Sequence, residues 1–258
     1  MTAILDIRDL SKHFGGVKAI QNFSLELPQF GIYGLIGPNG AGKTTIFNTI
    51  TGIYRPTAGS IRLEGRELVG MKPFQVANLG VGRTFQNIRL FTQLSVAENV
   101  FIACQSDADY NLLGALTRLG GFRGKEARLR EKSLYLLDYM GLSQVAGAKA
   151  GSLPYGHQRK LEIARALALN PRLLLLDEPA AGMNTDESQE LVDFIFRLHA
   201  EFKLSILVIE HHMAVVMKLC QFITVLNFGE TIARGAPAQI TSDPGVIEAY
   251  LGREEQPC

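Results

Sequence analysis

Apolar and polar residues alternate over Ala3 to Ile7 and again over Phe23 to Leu27, the period-two pattern of half-buried strands, and Gly15-Gly16 supplies a turn between them. This predicts a small antiparallel β subdomain at the amino terminus. The pattern then changes. Ile32 to Ile36 is an uninterrupted apolar run ended by Gly37, and Lys43 to Thr51 follows with helical spacing. Strand, glycine loop and helix are predicted in that order. Two more such runs occur, Arg172 to Leu176 ended by Asp177 and Ser205 to Ile209 ended by Glu210. Runs of this kind suit parallel strands buried on both faces, with functional residues at their carboxyl ends.

Between residues 87 and 170 the texture becomes helical, with 3.6-residue spacing in Arg128 to Met140 and in Gln158 to Leu169. The second helix is expected to stop at Asn170-Pro171, because the residue before proline is driven out of the α region. A last helical piece falls near Val246 to Leu251. The fold class predicted is α/β. A core of buried strands and helices spans residues 37–86 and 171–230, an antiparallel β subdomain 1–36, an inserted α-helical subdomain 87–170 and a carboxy-terminal tail 231–258.

Composition narrows the function. Across 258 residues the formal net charge is +1, so there is no global electrostatic reason to expect nucleic acid as a partner. Cys104, Cys220 and Cys258 are widely spaced and form no metal pattern, and they read as reduced thiols. The start of the chain has no secretory signal. No apolar run approaches the ~20 residues a membrane-crossing helix needs.

The chemistry concentrates in Gly37-Pro38-Asn39-Gly40-Ala41-Gly42-Lys43-Thr44-Thr45, which carries the G-x-x-x-x-G-K-T spacing after a strand and before a helix. Its glycines let backbone N–H groups ring phosphates, and the helix amino terminus adds positive potential. Lys43 supplies a charge, and the Thr44 hydroxyl can ligate Mg²⁺. An acidic pair closes the leucine run. Asp177 is expected to hold Mg²⁺, which favours a few carboxylates together with substrate phosphates, and Glu178 to orient and deprotonate an attacking water.

Ordered motifs over nearly the whole chain resemble the ATP-binding cassette (ABC) ATPases: GPNGAGKT, RTFQNIRLF, LPYGHQRKLEIARAL, LLLLDEP and ILVIEHHM. The resemblance implies a P-loop core of RecA type over residues 37–86 and 171–230, with ATP and Mg²⁺ as cofactors. It also implies that Gln86 senses the metal or water, that His211 contacts the γ-phosphate and that adenine stacks on Phe14. Two cassettes would sandwich ATP head to tail, with Gly156 of each completing the other's site. Two positions depart from the family pattern. Pro154 stands where a serine is usual, a residue that fits the first turn of a helix, and Asn184 stands where an aspartate is usual.

GVGRTFQNIRLF, the insert after Phe101, EPAAGMN and the ending EAYLG look like the ATP-binding subunits of bacterial branched-chain amino acid importers. That likeness implies two transmembrane permease subunits, an extracytoplasmic substrate-binding protein, a second cassette of the same or a paralogous chain, and a place on the cytoplasmic face of the inner membrane. Urea or amide importers and lipopolysaccharide exporters share parts of the pattern, and a weakly hydrolysing regulatory cassette is a further alternative. A soluble GTPase or kinase would use the same phosphate loop, but no N-K-x-D guanine-reading motif is present. The basic stretch Asn111 to Lys132 reads as a docking face for a permease or lipid headgroups, or equally as a solvated surface.

Overall fold

A computed structural model of the chain describes residues 3–105 and 122–251. Two compact units emerge, the chain passing from the first to the second after Val81 and returning after Pro171.

The first unit contains two sheets. β1 (Ala3–Phe14) and β2 (Val17–Pro28) form a bulged hairpin running from Ala3 opposite Pro28 to Phe14 opposite Val17, turning through Gly15 at φ 57°. β3 (Ile32–Ile36) leads into the glycine loop and α1 (Lys43–Ile50). β4 (Ala58–Leu63) and β5 (Arg66–Glu67) follow, then the short α2 (Pro73–Asn78) and β6 (Val81–Arg83), at whose first residue the unit ends.

After the second unit the chain continues through β7 (Leu173–Asp177), a long helix over Thr185–Phe202, β8 (Ser205–Ile209) and a helix over Met213–Leu219. It ends in β9 (Phe222–Asn227), β10 (Glu230–Gly235) and helices over Pro237–Thr241 and Pro244–Leu251. The smaller sheet has the order β2-β1-β4-β5, and the larger has β10-β9-β3-β8-β7-β6. β3 pairs in parallel with both β8 and β9, and β8 with β7. The uninterrupted apolar runs explain this placement, since β3, β7 and β8 are buried at every position.

α1 joins the two sheets. Its buried residues Ile46, Phe47 and Ile50 recur at helical spacing, and they share one core with Leu5, Ile7 and Phe23 of the smaller sheet and Leu175, Leu207 and Ile209 of the larger.

Three segments fall elsewhere than the expected subdomain boundaries put them. β3 is the buried parallel strand that its apolar run predicts, but it lies inside the six-stranded sheet, so the boundary drawn after residue 36 falls on the wrong side of it. β4 and β5, placed in the core, extend the amino-terminal sheet, with Leu5 opposite Leu63 and Ile7 opposite Ile61. The free edge of β1 takes up this short alternating stretch. The segment from Thr231 to Leu251 is not a tail: β10 pairs with β9, and Asp243 caps the last helix by accepting from the Val246 amide at 3.0 Å.

The second unit holds α3 (Val96–Gln105), α4 (Phe122–Tyr139) and α5 (Tyr155–Leu167) around buried Val96, Val100, Cys104, Leu136, Leu137 and Leu161. α5 begins and ends earlier than the periodicity suggests, because Pro154 caps its start and Ala168 its end. Of the basic stretch Asn111 to Lys132, residues 111–121 lie outside the described residues. Lys132 is committed within the unit, donating to the Ala168 carbonyl at 2.6 Å near the end of α5.

Phe47→Ala empties a fully buried site in the core shared by both sheets. It is expected to lower the unfolding free energy by about 3–5 kcal/mol in denaturant melts, and a loss below about 1 kcal/mol would contradict that packing.

Candidate nucleotide-hydrolysing site

The glycine loop leaves β3 with Gly37 at φ 147°, Gly40 at φ 80° and Gly42 at φ 104°. Two of these positions are also sterically closed. A Cβ at Gly37 would lie 2.1 Å from the Leu226 carbonyl oxygen, and one at Gly42 would lie 2.6 Å from that of Ala19. The loop is braced from behind, where the Gly229 amide donates to the Ala41 carbonyl at 3.0 Å and the Gln21 amide to the Gly229 carbonyl at 2.9 Å. Both sheets therefore support it.

Lys43 is buried and donates to the carbonyls of Gly37 at 2.7 Å and Pro38 at 3.0 Å. Thr44 is exposed at the start of α1, a helix without a side-chain cap, and Thr45 is partly covered. Uncapped amides at a helix start together with a cation make an anion site. Pro38 and Ala41 are buried, while Asn39 and Gly40 are exposed.

Register fixes the other groups. Leu35 and Asp177 both pair with Ile209, from opposite sides of β8. The loop and Asp177 thus lie at the same end of the sheet, two strand spacings or about 10 Å apart. Asp177 is 3% exposed. Glu178 takes a left-handed φ of 47°, its amide donating to the Ile209 carbonyl at 2.9 Å. This turn directs the partly buried Glu178 carboxylate to within 3.5 Å of His211 Nδ1. His211 in turn stacks at 4.4 Å on His212, which precedes the Met213–Leu219 helix. Glu210, fully buried between them and β8, accepts from the Ala180, His211 and His212 amides.

Phe14 is 43% exposed, so it does not belong to the core. Tyr54 meets it edge-on at 5.2 Å, and Lys12, donating to the Arg55 carbonyl, places its amine 4.7 Å over the ring. A base stacked there would gain about 0.5–1.5 kcal/mol.

Gln86 and Gly156 belong to the second unit. Gln86 is exposed on a loop held to α5: Glu162 accepts from the Phe85 and Arg89 amides at 3.3 and 3.1 Å, Arg159 donates to the Phe85 carbonyl at 3.1 Å, and Arg165 donates to the Arg89 carbonyl. Pro154 is the residue before α5 rather than one of its first turn, and its carbonyl accepts from the His157 and Gln158 amides at 3.0 Å each. Gly156 is exposed in the opening turn, with open space where a Cβ would be. Asn184 caps the Thr185–Phe202 helix, accepting from the Glu187 amide at 2.9 Å, while Glu187 accepts from the Asn184 amide at 2.9 Å. An asparagine caps as well as an aspartate.

The structure thus brings Lys43, Thr44, Asp177, Glu178 and His211 to one end of one sheet. Sequence patterning gave no role to Glu162 or Glu210. The signal for each was a carboxylate where burial is demanded, one on the inward stripe of a helix and one at the end of a fully apolar strand.

The glycine loop with its lysine, the acidic pair and the histidine turn define a nucleotide-binding ATPase cassette. Residues 20–181 match the ABC transporter family, and the chain belongs to it. It is 43% identical to the high-affinity branched-chain amino acid transport ATP-binding protein BraF of Pseudomonas aeruginosa, an alignment covering 96% of this chain and 98% of BraF. It is also 43% identical to LivG of Escherichia coli K12 over the same shares. Residues 230–256 separately match the branched-chain amino acid ATP-binding cassette transporter family. A solved ABC transporter cassette in its ADP conformation superposes with a TM-score of 0.84 at 29% identity, covering 98% of this chain and 100% of that one. Among the described residues no helix is long and apolar enough to cross a membrane.

Asn184→Ala is expected to cost about 1 kcal/mol of stability, and Asn184→Asp almost nothing; equal losses in thermal melts would count against the cap. Burial pushes the Glu162 carboxyl above its ordinary value, against the Arg89 and Phe85 amides and the charges of Arg159 and Arg165. The folded chain therefore binds this proton more tightly than the unfolded chain does. Its contribution to stability is full below the ordinary value of 4.5 and declines as pH rises through the raised one. The stability of the wild type relative to Glu162→Gln should accordingly fall as pH rises above the ordinary carboxyl value of 4.5, as read by denaturant melts; a difference independent of pH would refute the shift.

Proposed function

We propose that the chain is the ATP-hydrolysing subunit of an importer of branched-chain or other hydrophobic amino acids. It would work at the cytoplasmic face of the inner membrane with a second cassette, two permease subunits and an extracytoplasmic binding protein. The nearly full-length identity to BraF and LivG, continued into residues 230–256, carries this reading.

Mg²⁺ suits the residues present. The exposed Thr44 hydroxyl and the buried Asp177 carboxylate supply a sparse oxygen set, and among the described residues no group of three or more His, Cys, Asp or Glu gathers into a denser metal site. A hard cation that shares its shell with phosphates and water uses such a set. When bound, the ion neutralises charge on the phosphates.

On ATP binding, Lys43 exchanges the Gly37 and Pro38 carbonyls for phosphate oxygens, and the α1 amides complete the cradle. Glu178 accepts the proton of the attacking water while His211, 3.5 Å away, steadies it and faces the γ-phosphate. Gln86 reports nucleotide state to the helical unit, and Gly156 at the uncapped start of α5 completes the partner's site. The affinity difference of the closed state for ATP over ADP supplies the work of transport, since a ligand moves an equilibrium only by such a difference.

Glu178→Gln should reduce ATP turnover by about 10²–10⁴-fold and trap ATP-bound dimers, whereas Lys43→Ala should lose nucleotide binding. In cells, Glu178→Gln should abolish uptake of labelled leucine, isoleucine and valine. Uptake that survives in the variant, or loss of urea uptake instead, would remove the amino acid assignment.

A further inference from the structure

We propose that Glu210 is a positioning residue for hydrolysis, tying the His211 turn and the Glu178 turn into one unit. The proposal rests on the reading of Glu178 and His211 as the hydrolytic pair.

Glu210 is 0% exposed at the carboxyl end of β8. Its two oxygens serve different segments. Oε1 accepts from the Ala180 amide at 2.7 Å, two residues beyond Glu178. Oε2 accepts from the amides of His211 at 3.1 Å and His212 at 3.3 Å. A second tie runs the other way between the same strand ends, the Glu178 amide donating to the Ile209 carbonyl at 2.9 Å. The backbone that follows is folded on itself, the Ala181 amide donating to the Glu178 carbonyl at 3.2 Å. The left-handed Glu178 is therefore held on both sides, and the carboxylate of Glu210 fixes its separation from His211.

The chemistry of the side chain supports this role. Among the described residues no lysine, arginine or histidine forms an ion pair with Glu210, whose charge is met by backbone N–H groups. A buried carboxylate with no counter-cation is costly, and an apolar residue would continue the strand at less expense. What a carboxylate adds is acceptance on both oxygens. Glutamine offers one acceptor and turns its NH₂ against either the Ala180 or the histidine amides, so one segment must give way.

Purified full-length chain should show the consequence in steady-state ATPase kinetics. Glu210→Gln is expected to lower kcat by about tenfold to a hundredfold, the range that a misplacement of about 1 Å produces. Its KM and ATP affinity should stay within about twofold of wild type, because the phosphate loop, Lys43 and Asp177 are untouched. Glu210→Asp keeps charge and acceptors on a shorter stem and should fall in between; it carries the test if the glutamine variant does not fold. Adding either change to His211→Ala should cost little more than His211→Ala alone, as for residues that act as a unit. A wild-type kcat in Glu210→Gln and Glu210→Asp while His211→Ala is slow, or losses that multiply in the double variants, would overturn the positioning role alone. A wild-type kcat in His211→Ala would overturn the hydrolytic pair and the positioning role with it.

Discussion

Parallel pairing of β3, β8 and β7 is the constraint on which the site depends. Each strand is buried at every position, and each pairing keeps one unbroken register over four or five residues. Because Leu35 and Asp177 share Ile209 as their neighbour, the chain must emerge from all three strands at one level. The glycine loop, the acidic pair and the histidine turn then need only short connections to converge. α1, packed under both sheets, fixes where the loop can deliver its helix start.

The central strands were legible in the sequence because uninterrupted apolar runs have one placement, inside a covered sheet. Ser205 to Ile209 was bounded to the residue, and the leucine run was displaced by one, which makes Asp177 the last strand residue rather than the first beyond it. The loop was legible because left-handed conformations at Gly37, Gly40 and Gly42 demand that residue type. Sheet membership was not legible for β4 and β5. Their short stretch fits either sheet, and pairing between distant segments decides. β10 was read as tail because its alternating exposure leaves little apolar signal. Asn184 looked like a departure from a motif, whereas its local task, capping a helix, is one that asparagine performs.

Two buried carboxylates escaped patterning for a common reason. Glu162 and Glu210 both satisfy backbone amides of loops remote in sequence, and such a role is invisible until the loops are folded against them. Glu162, with Arg159 and Arg165, makes the Gln86 loop and α5 a single body within the second unit. Glu210 does the same for two turns in the first. Each trades a desolvation cost for the geometry of a loop that carries no regular structure of its own.

The contacts of Lys43 with Gly37 and Pro38 have a kinetic meaning. A loop whose own carbonyls already hold its ammonium group is never a bare cavity, and on the function proposed above nucleotide enters by exchange rather than by filling. Affinity then reflects the difference between phosphate and carbonyl as partners for one cation. On the same proposal, the carbonyls recapture the amine as the phosphates leave, so departure of the spent nucleotide leads into a state that is already stabilised, and the site resets without passing through an unpaired buried charge.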